Sequence, residues 1–75
     1  MMVGNMETLT SVPDVLKALG GVYKAAIILN ENPSTVGNWQ TRSRIPPEHF
    51  LTVSKALKEA GKTVSPDVFG MKFLP

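Results

Sequence analysis

The residues with the clearest chemical potential are Ser34, Thr35 and Asn38. All are short and polar, and none carries a charge. Their chemistry is hydrogen-bond recognition: Ser, Thr and Asn side chains bond to base edges and to phosphate oxygens. Arg42 and Arg44 follow within a few residues, with His49 behind them and Lys24 ahead, so charges suited to phosphate contact flank the polar group. Covalent chemistry has little to work with. There is one His and no Cys, which excludes a disulfide, a thiol nucleophile or a thiolate metal site. His49 has no second titratable group at a recognisable motif spacing, and Glu48 beside it is expected to point to a different helix face. His49 reads as a surface or phosphate-proximal residue. Gly20-Gly21 is a helix stop rather than a phosphate-cradling loop, and no acid cluster has calcium-loop spacing. The chain is therefore expected not to be an enzyme and to need no metal, cofactor or small-molecule substrate.

Hydrogen-bonding groups recognise nothing unless a frame presents them together. The stretch VYKAAIILNENPSTVGNW, residues 22–39, supplies one. It reads as a short helix over 22–29, a tight turn at Asn30 and a second helix over 33–41, which is the pattern of a helix-turn-helix. Ala25 and Ala26 are small enough for the second helix to cross closely. Leu29 closes the first helix on the core. Asn30 stands where the chain needs a positive φ, which Asn tolerates better than any residue but Gly. Asn32 is a good N-cap, and Pro33 at the first helical position loses no hydrogen bond. Val36 and Trp39, three apart, face inward. Ser34, Thr35, Gly37 and Asn38 are left facing out. A plain helical hairpin in an unspecialised bundle fits the same pattern.

The remaining elements read as supports. Ser11-Val12-Pro13-Asp14 resembles a capping box that starts a helix over 12–19, with Val12, Val15, Leu16 and Leu19 as its apolar stripe and Gly20-Gly21 as its stop. Two prolines make 42–47 irregular, and Ile45 is expected to plug the core. A helix over 47–60 buries Phe50, Val53, Leu57 and Ala60, with Gly61 at its end. Lys55, Lys58 and Lys62 read as a solvated face. Ser65-Pro66-Asp67 restarts a short turn that brings Val68 and Phe69 over the open end of the bundle. Three parts result: a flexible segment 1–10, a helix-turn-helix domain 11–70 and an apolar tail 71–75.

The order Gly20-Gly21, Ala26, Val36, Trp39, Ile45-Pro46 resembles the small lambda-repressor-like helix-turn-helix proteins, and within them the Cro-like and YdaS-type regulators of phages, prophages and some bacterial chromosomes. The likeness covers 12–69. It implies an all-α fold, a compact four- to five-helix bundle, and sequence-specific binding of duplex DNA through a major-groove recognition helix, usually as a dimer. Carried onto this chain, it puts base contacts at Asn32, Ser34, Thr35 and Asn38, and phosphate contacts at Lys24, Thr41, Arg42 and Arg44.

The chain departs from that pattern in three places. Asn30 replaces the usual turn Gly. Glu31 occupies a turn position that is usually apolar, which makes the turn more solvated. Ile27 and Ile28 fall where at least one polar residue is usual. Either one Ile enters the core of a rotated helix, or the pair forms a partner surface, together with Phe73 and Leu74 of the tail. The recognition helix also has no Arg, Lys or Gln before Gln40, so monomer binding is expected to be weak without a homodimer mate or a second regulatory protein. The rival reading is a protein-interaction module (an antitoxin, anti-repressor or adaptor) that uses Ile27, Ile28 and the tail.

Length and composition bound both readings. Seventy-five residues make one small domain that buries only about 60% of its unfolded surface. Net charge is +2, compatible with nucleic acid without arguing strongly for it. The apolar run 25–29 is too short to span a membrane, and MMVGNMETLT lacks the blocks of a signal peptide. The expected location is the cytoplasm of a bacterial or phage-infected cell.

Overall fold

The computed structural model describes residues 7–70. Phe73, Leu74 and the rest of the expected apolar tail lie outside the described residues. The element order is β1 (Glu7–Leu9), α1 (Val12–Ala18), α2 (Val22–Leu29), α3 (Pro33–Arg42), a 3-10 helix (Pro47–His49), α4 (Phe50–Glu59), β2 (Lys62–Val64) and a second 3-10 helix (Pro66–Phe69). The fold is mostly helical.

Local chemistry starts and stops these helices. Ser11 caps α1, its Oγ accepting from the Asp14 N–H at 3.4 Å. Pro13 occupies the first turn, where the lost N–H has no intrahelical partner anyway. The backbone closes α1 with Gly21 N–H donating to the Leu16 carbonyl at 2.8 Å. α2 ends at Asn30, with φ 57 and ψ 46 in the left-handed region. The Glu31 N–H then donates to the Ala26 carbonyl at 2.8 Å, the closing bond of a Schellman turn. Asn32 has the extended geometry of an N-cap before Pro33, but its side chain makes no capping hydrogen bond. Its amide is thus not spent on the helix. α3 runs one residue further than expected, and Ser43, at φ 57, stops it.

Helices α1, α2 and α3 pack on one another and share a core of Val12, Val15, Leu16, Leu19, Ala25, Ala26, Leu29, Val36 and Trp39. Ala25 and Ala26 are buried where α2 meets α3, as close crossing requires. Val53 and Leu57 of α4, with Ile45, extend the same core. Val68 and Phe69 are buried as expected, and Phe69 meets Phe50 edge-on at 5.1 Å between ring centroids. The Ile45 N–H donates to the Val68 carbonyl at 2.8 Å, which ties the proline-rich link to the C-terminal 3-10 helix.

Five expectations are corrected. The fold is not purely α: β1 and β2 pair in parallel, Glu7 with Lys62, Thr8 with Thr63 and Leu9 with Val64. The segment 1–10 is therefore not flexible throughout. Leu9 is buried, and its carbonyl accepts from the Ser65 N–H at 2.9 Å. Lys62 is not on a helix face; it sits on β2 and pairs with Glu7 at 2.7 Å. The long fourth helix begins as a 3-10 turn over Pro47–His49, in which the His49 N–H donates to the Pro46 carbonyl at 3.1 Å. Ala60, expected on the buried face of α4, is exposed where the helix ends.

Candidate nucleic-acid interface

Helix α3 divides cleanly into two faces. Val36 and Trp39 point into the core. Ser34, Thr35, Asn38, Thr41 and Arg42 are all exposed. On a helix turning 100° per residue, Ser34, Asn38 and Thr41 form one outward stripe, flanked by Thr35 and Arg42 seven residues apart. Asn32, also exposed, stands at the head of that face. All four expected base-contact residues therefore belong to one continuous polar surface.

Gly37 lies among them inside the helix. A Cβ built there would meet nothing within 4 Å. Gly in a helix interior costs roughly 0.5–1 kcal/mol relative to Ala, and no packing within the described residues requires it. A bare backbone at this point permits close approach from outside.

The basic residues divide into two groups. Arg42 closes the last turn of α3 and Arg44 follows Ser43; the two line a groove of about 380 Å³ with Trp39, Ser43, Pro46 and Pro47. Arg44 is held there by more than the chain direction. Its N–H donates to the Trp39 carbonyl at 3.1 Å, and its side chain lies so close over Gly70 that a Cβ at 70 would collide with it. Lys24 stands apart, in the first turn of α2, its stem folded back over Gly20, where a Cβ would come within 2.6 Å of Lys24 Cδ. It does not line the arginine groove.

Sequence reasoning missed a second set of groups on this domain. Lys17 and Gln40 line one groove with Pro13, Leu16, Gly20, Gly21 and Val22, beside the α2 N-terminus. Gly21 caps that terminus without a side-chain hydrogen bond. Lys17 and Gln40 are twenty-three positions apart in the chain, on different helices, so no spacing rule joins them. An i, i+3, i+4 reading of α1 ranks Lys17 only as a surface residue.

His49 is neither a simple surface residue nor placed for phosphate. Its side chain is 12% exposed, and Nε2 lies 2.8 Å from Glu31 Oε2. The ring sits 5.3 Å from the Trp39 ring, tilted by 46°. Glu31, at the turn between α2 and α3, thus does more than solvate that turn: it ties it to the 3-10 helix that leads into α4. Glu48 does not point away either; its Oε2 lies 3.6 Å from the same nitrogen.

The Ile pair lies outside the core. Ile27 is 80% exposed and Ile28 38%. With Ala25, Ala26 and Leu29 facing inward, the helix has no room to bury either of its central isoleucines. Tyr23, 76% exposed, lies one turn before Ile27, and both line a groove of about 500 Å³ with Ala26, Asn30, Glu31 and Pro33.

No helix among the described residues is long and apolar enough to cross a membrane. Comparison with protein-family models, with curated proteins and with solved structures found no match. The functional reading therefore rests on the geometry of the chain itself.

Proposed function

We propose that this domain is a DNA-binding regulator rather than an enzyme, a helix-turn-helix of the lambda-repressor-like, Cro or YdaS type that lays α3 in the major groove of duplex DNA. The observation that carries the reading is the outer face of α3, where Asn32, Ser34, Thr35 and Asn38 stand together around a bare Gly37 and end at Arg42. α2 and the turn at Asn30 hold that face outward, as recognition helices require. Thr41, Arg42 and Arg44 are the phosphate contacts on one side. Lys24 faces a different part of the surface, and Lys17 with Gln40 joins it as a candidate for the opposite strand. Neutral side chains dominate the stripe, so base reading falls to Asn, Ser and Thr without the arginine–guanine contact, and dimerisation raises an intrinsically weak affinity.

Fluorescence anisotropy of the purified chain against a pool of duplex fragments, repeated at several salt and protein concentrations, tests the reading. Salt-sensitive binding that favours a few sequences supports it, and a steep dependence on protein concentration adds a dimer. Binding that is uniformly weak across all fragments overturns it. Gly37→Ala sharpens the test, because its two effects have opposite signs. Removing an unneeded helix-interior Gly stabilises by roughly 0.5–1 kcal/mol, while the new methyl obstructs the DNA backbone or base edge. A variant with a higher melting temperature and weaker DNA binding is the expected result. Unchanged DNA binding would show that nothing approaches this face closely.

The exposed Tyr23 and Ile27 favour a second reading, a protein-interaction module in the manner of an antitoxin, anti-repressor or adaptor. Contiguous exposed apolar side chains mark interaction sites more often than scattered ones do. Ile27→Glu separates the readings: at 80% exposure it is expected to leave stability within about 0.5 kcal/mol of wild type and DNA binding by the monomer intact. Loss of self-association or partner capture in that variant would assign the α2 face to protein contact.

A further inference from the structure

Glu31, Glu48 and His49 bring three potential metal-ligand atoms within 4.8 Å of one another. From this geometry we infer a binding site for a borderline divalent cation of the zinc, cobalt or nickel type, made by Glu31 Oε2, His49 Nε2 and Glu48 Oε2. The inference is independent of the DNA reading.

The three atoms come from two separate segments. Glu31 is at the α2–α3 turn, and Glu48 and His49 are in the 3-10 helix before α4. Nε2 lies 2.8 Å from the Glu31 oxygen and 3.6 Å from the Glu48 oxygen. Metal–ligand bonds of about 2.0–2.2 Å set tetrahedral ligand edges near 3.3 Å, so sub-ångström side-chain shifts bring those two contacts to coordination distance. A water completes a tetrahedron, since the carboxylates are on the solvent side: Glu48 is 73% exposed and Glu31 27%.

Two physical features favour a cation over a simple hydrogen bond. Two carboxylates converge on the same ring nitrogen. One ring nitrogen makes one good hydrogen bond, here the 2.8 Å contact to Glu31, which leaves the Glu48 oxygen at 3.6 Å without a full partner in the cluster. A dication at their common focus compensates both. The ring is also already oriented. His49 is packed against Trp39 and only 12% exposed, so little side-chain entropy remains to be lost on coordination. The imidazole nitrogen selects zinc, cobalt, nickel or copper over magnesium and calcium, which take oxygen ligands. Sequence alone pointed to no metal, because ligands seventeen and eighteen residues apart, in different segments, match no ligand-spacing motif.

Trp39 is the only tryptophan of the chain and its ring lies 5.3 Å from the His49 ring, so it reports directly on an open-shell metal there. The experiment is a titration of untagged full-length protein with Ni²⁺, read by Trp39 fluorescence, followed by back-titration with Zn²⁺, which has a filled d shell. Expected are saturable one-to-one quenching and recovery of emission on adding Zn²⁺. Losing an outer-shell partner already weakens metal sites about 10–100-fold, so His49→Gln and Glu48→Gln are each expected to weaken binding at least about tenfold. Glu48 is exposed enough that its variant keeps the fold, and it decides the matter if His49→Gln does not fold. Quenching that fails to saturate up to about 1 mM Ni²⁺, or saturable quenching that Glu48→Gln leaves unchanged, overturns the site.

Discussion

Arg42→Ala combined with Arg44→Ala is expected to lower affinity for duplex DNA roughly thirtyfold at low salt, on every sequence alike, and to flatten the salt dependence. The magnitude follows from two exposed ion pairs at about 1 kcal/mol each, converted at 1.4 kcal/mol per tenfold. The uniformity follows from the type of contact. Phosphates occur at every step of a duplex, so an arginine that pairs with one carries affinity without sequence information. Each lost phosphate contact removes about 0.9 from the slope of log K against log salt, so the double variant is expected to lose nearly two. Both arginines are exposed and line a single groove. The fold should therefore be unaffected, which circular dichroism checks. Arg44 has the more fixed position, lying over Gly70 with its backbone bound to Trp39. An unaltered salt slope would remove this end of α3 from the interface. By contrast, Asn38→Ala or Thr35→Ala should relax sequence preference and leave the slope alone, because their contacts are to bases.

Phe69→Ala is expected to cost about 3–5 kcal/mol, a large share of the whole stability of a domain this size, which is about 5 kcal/mol or slightly more. Among the described residues Phe69 is the largest fully buried side chain. Phe50 meets it edge-on from the start of α4. Ile45 is tied by a hydrogen bond to Val68 beside it. Removing the ring thus leaves a cavity under three segments at once: the proline link, α4 and the C-terminal 3-10 helix. At about 4–8 °C per kcal/mol for a small domain, melting followed by circular dichroism should fall by roughly 12–40 °C. A fall under about 5 °C would mean that the Pro66–Phe69 turn is only a lid and not part of the cooperative core. The prediction also bears on the interface, since Gly70, which packs under Arg44, directly follows Phe69.

Much of this architecture is legible in the residue order, and the legible parts are local. The helices over 12–19, 22–29 and 33–41 follow from apolar spacing together with Ser11, Gly20-Gly21, Asn30 and Pro33 at their ends, and the structure places α1, α2 and α3 within a residue of those bounds. The left-handed turn at Asn30 and the inward Val36 and Trp39 follow in the same way. Such features depend on neighbours within one helical turn, where capping, φ preference and 3.6-residue periodicity act. The outward polar face of α3 is legible for the same reason, as the complement of its apolar one.

What the tertiary structure alone decided is where segments distant in sequence meet. The β1–β2 pair joins residues fifty-five positions apart, and three-residue strands are too short to show an alternating pattern. Lys17 and Gln40 become neighbours only once α1 is packed against α3. Glu31 looks like a solvated turn residue and His49 like an isolated surface one, until the fold sets Nε2 2.8 Å from the Glu31 carboxylate. The Ile pair was ambiguous because periodicity marks Ala25, Ala26 and Leu29 as one face without saying how wide that face is; packing against α3 gave its width and left Ile27 outside. The sequence by itself determined the helices, their ends and the polar face between Asn32 and Arg42. Which charges share a surface, and which imidazole meets which carboxylates, followed from long-range packing, because electrostatic and coordination contacts depend on distance in space rather than on distance along the chain.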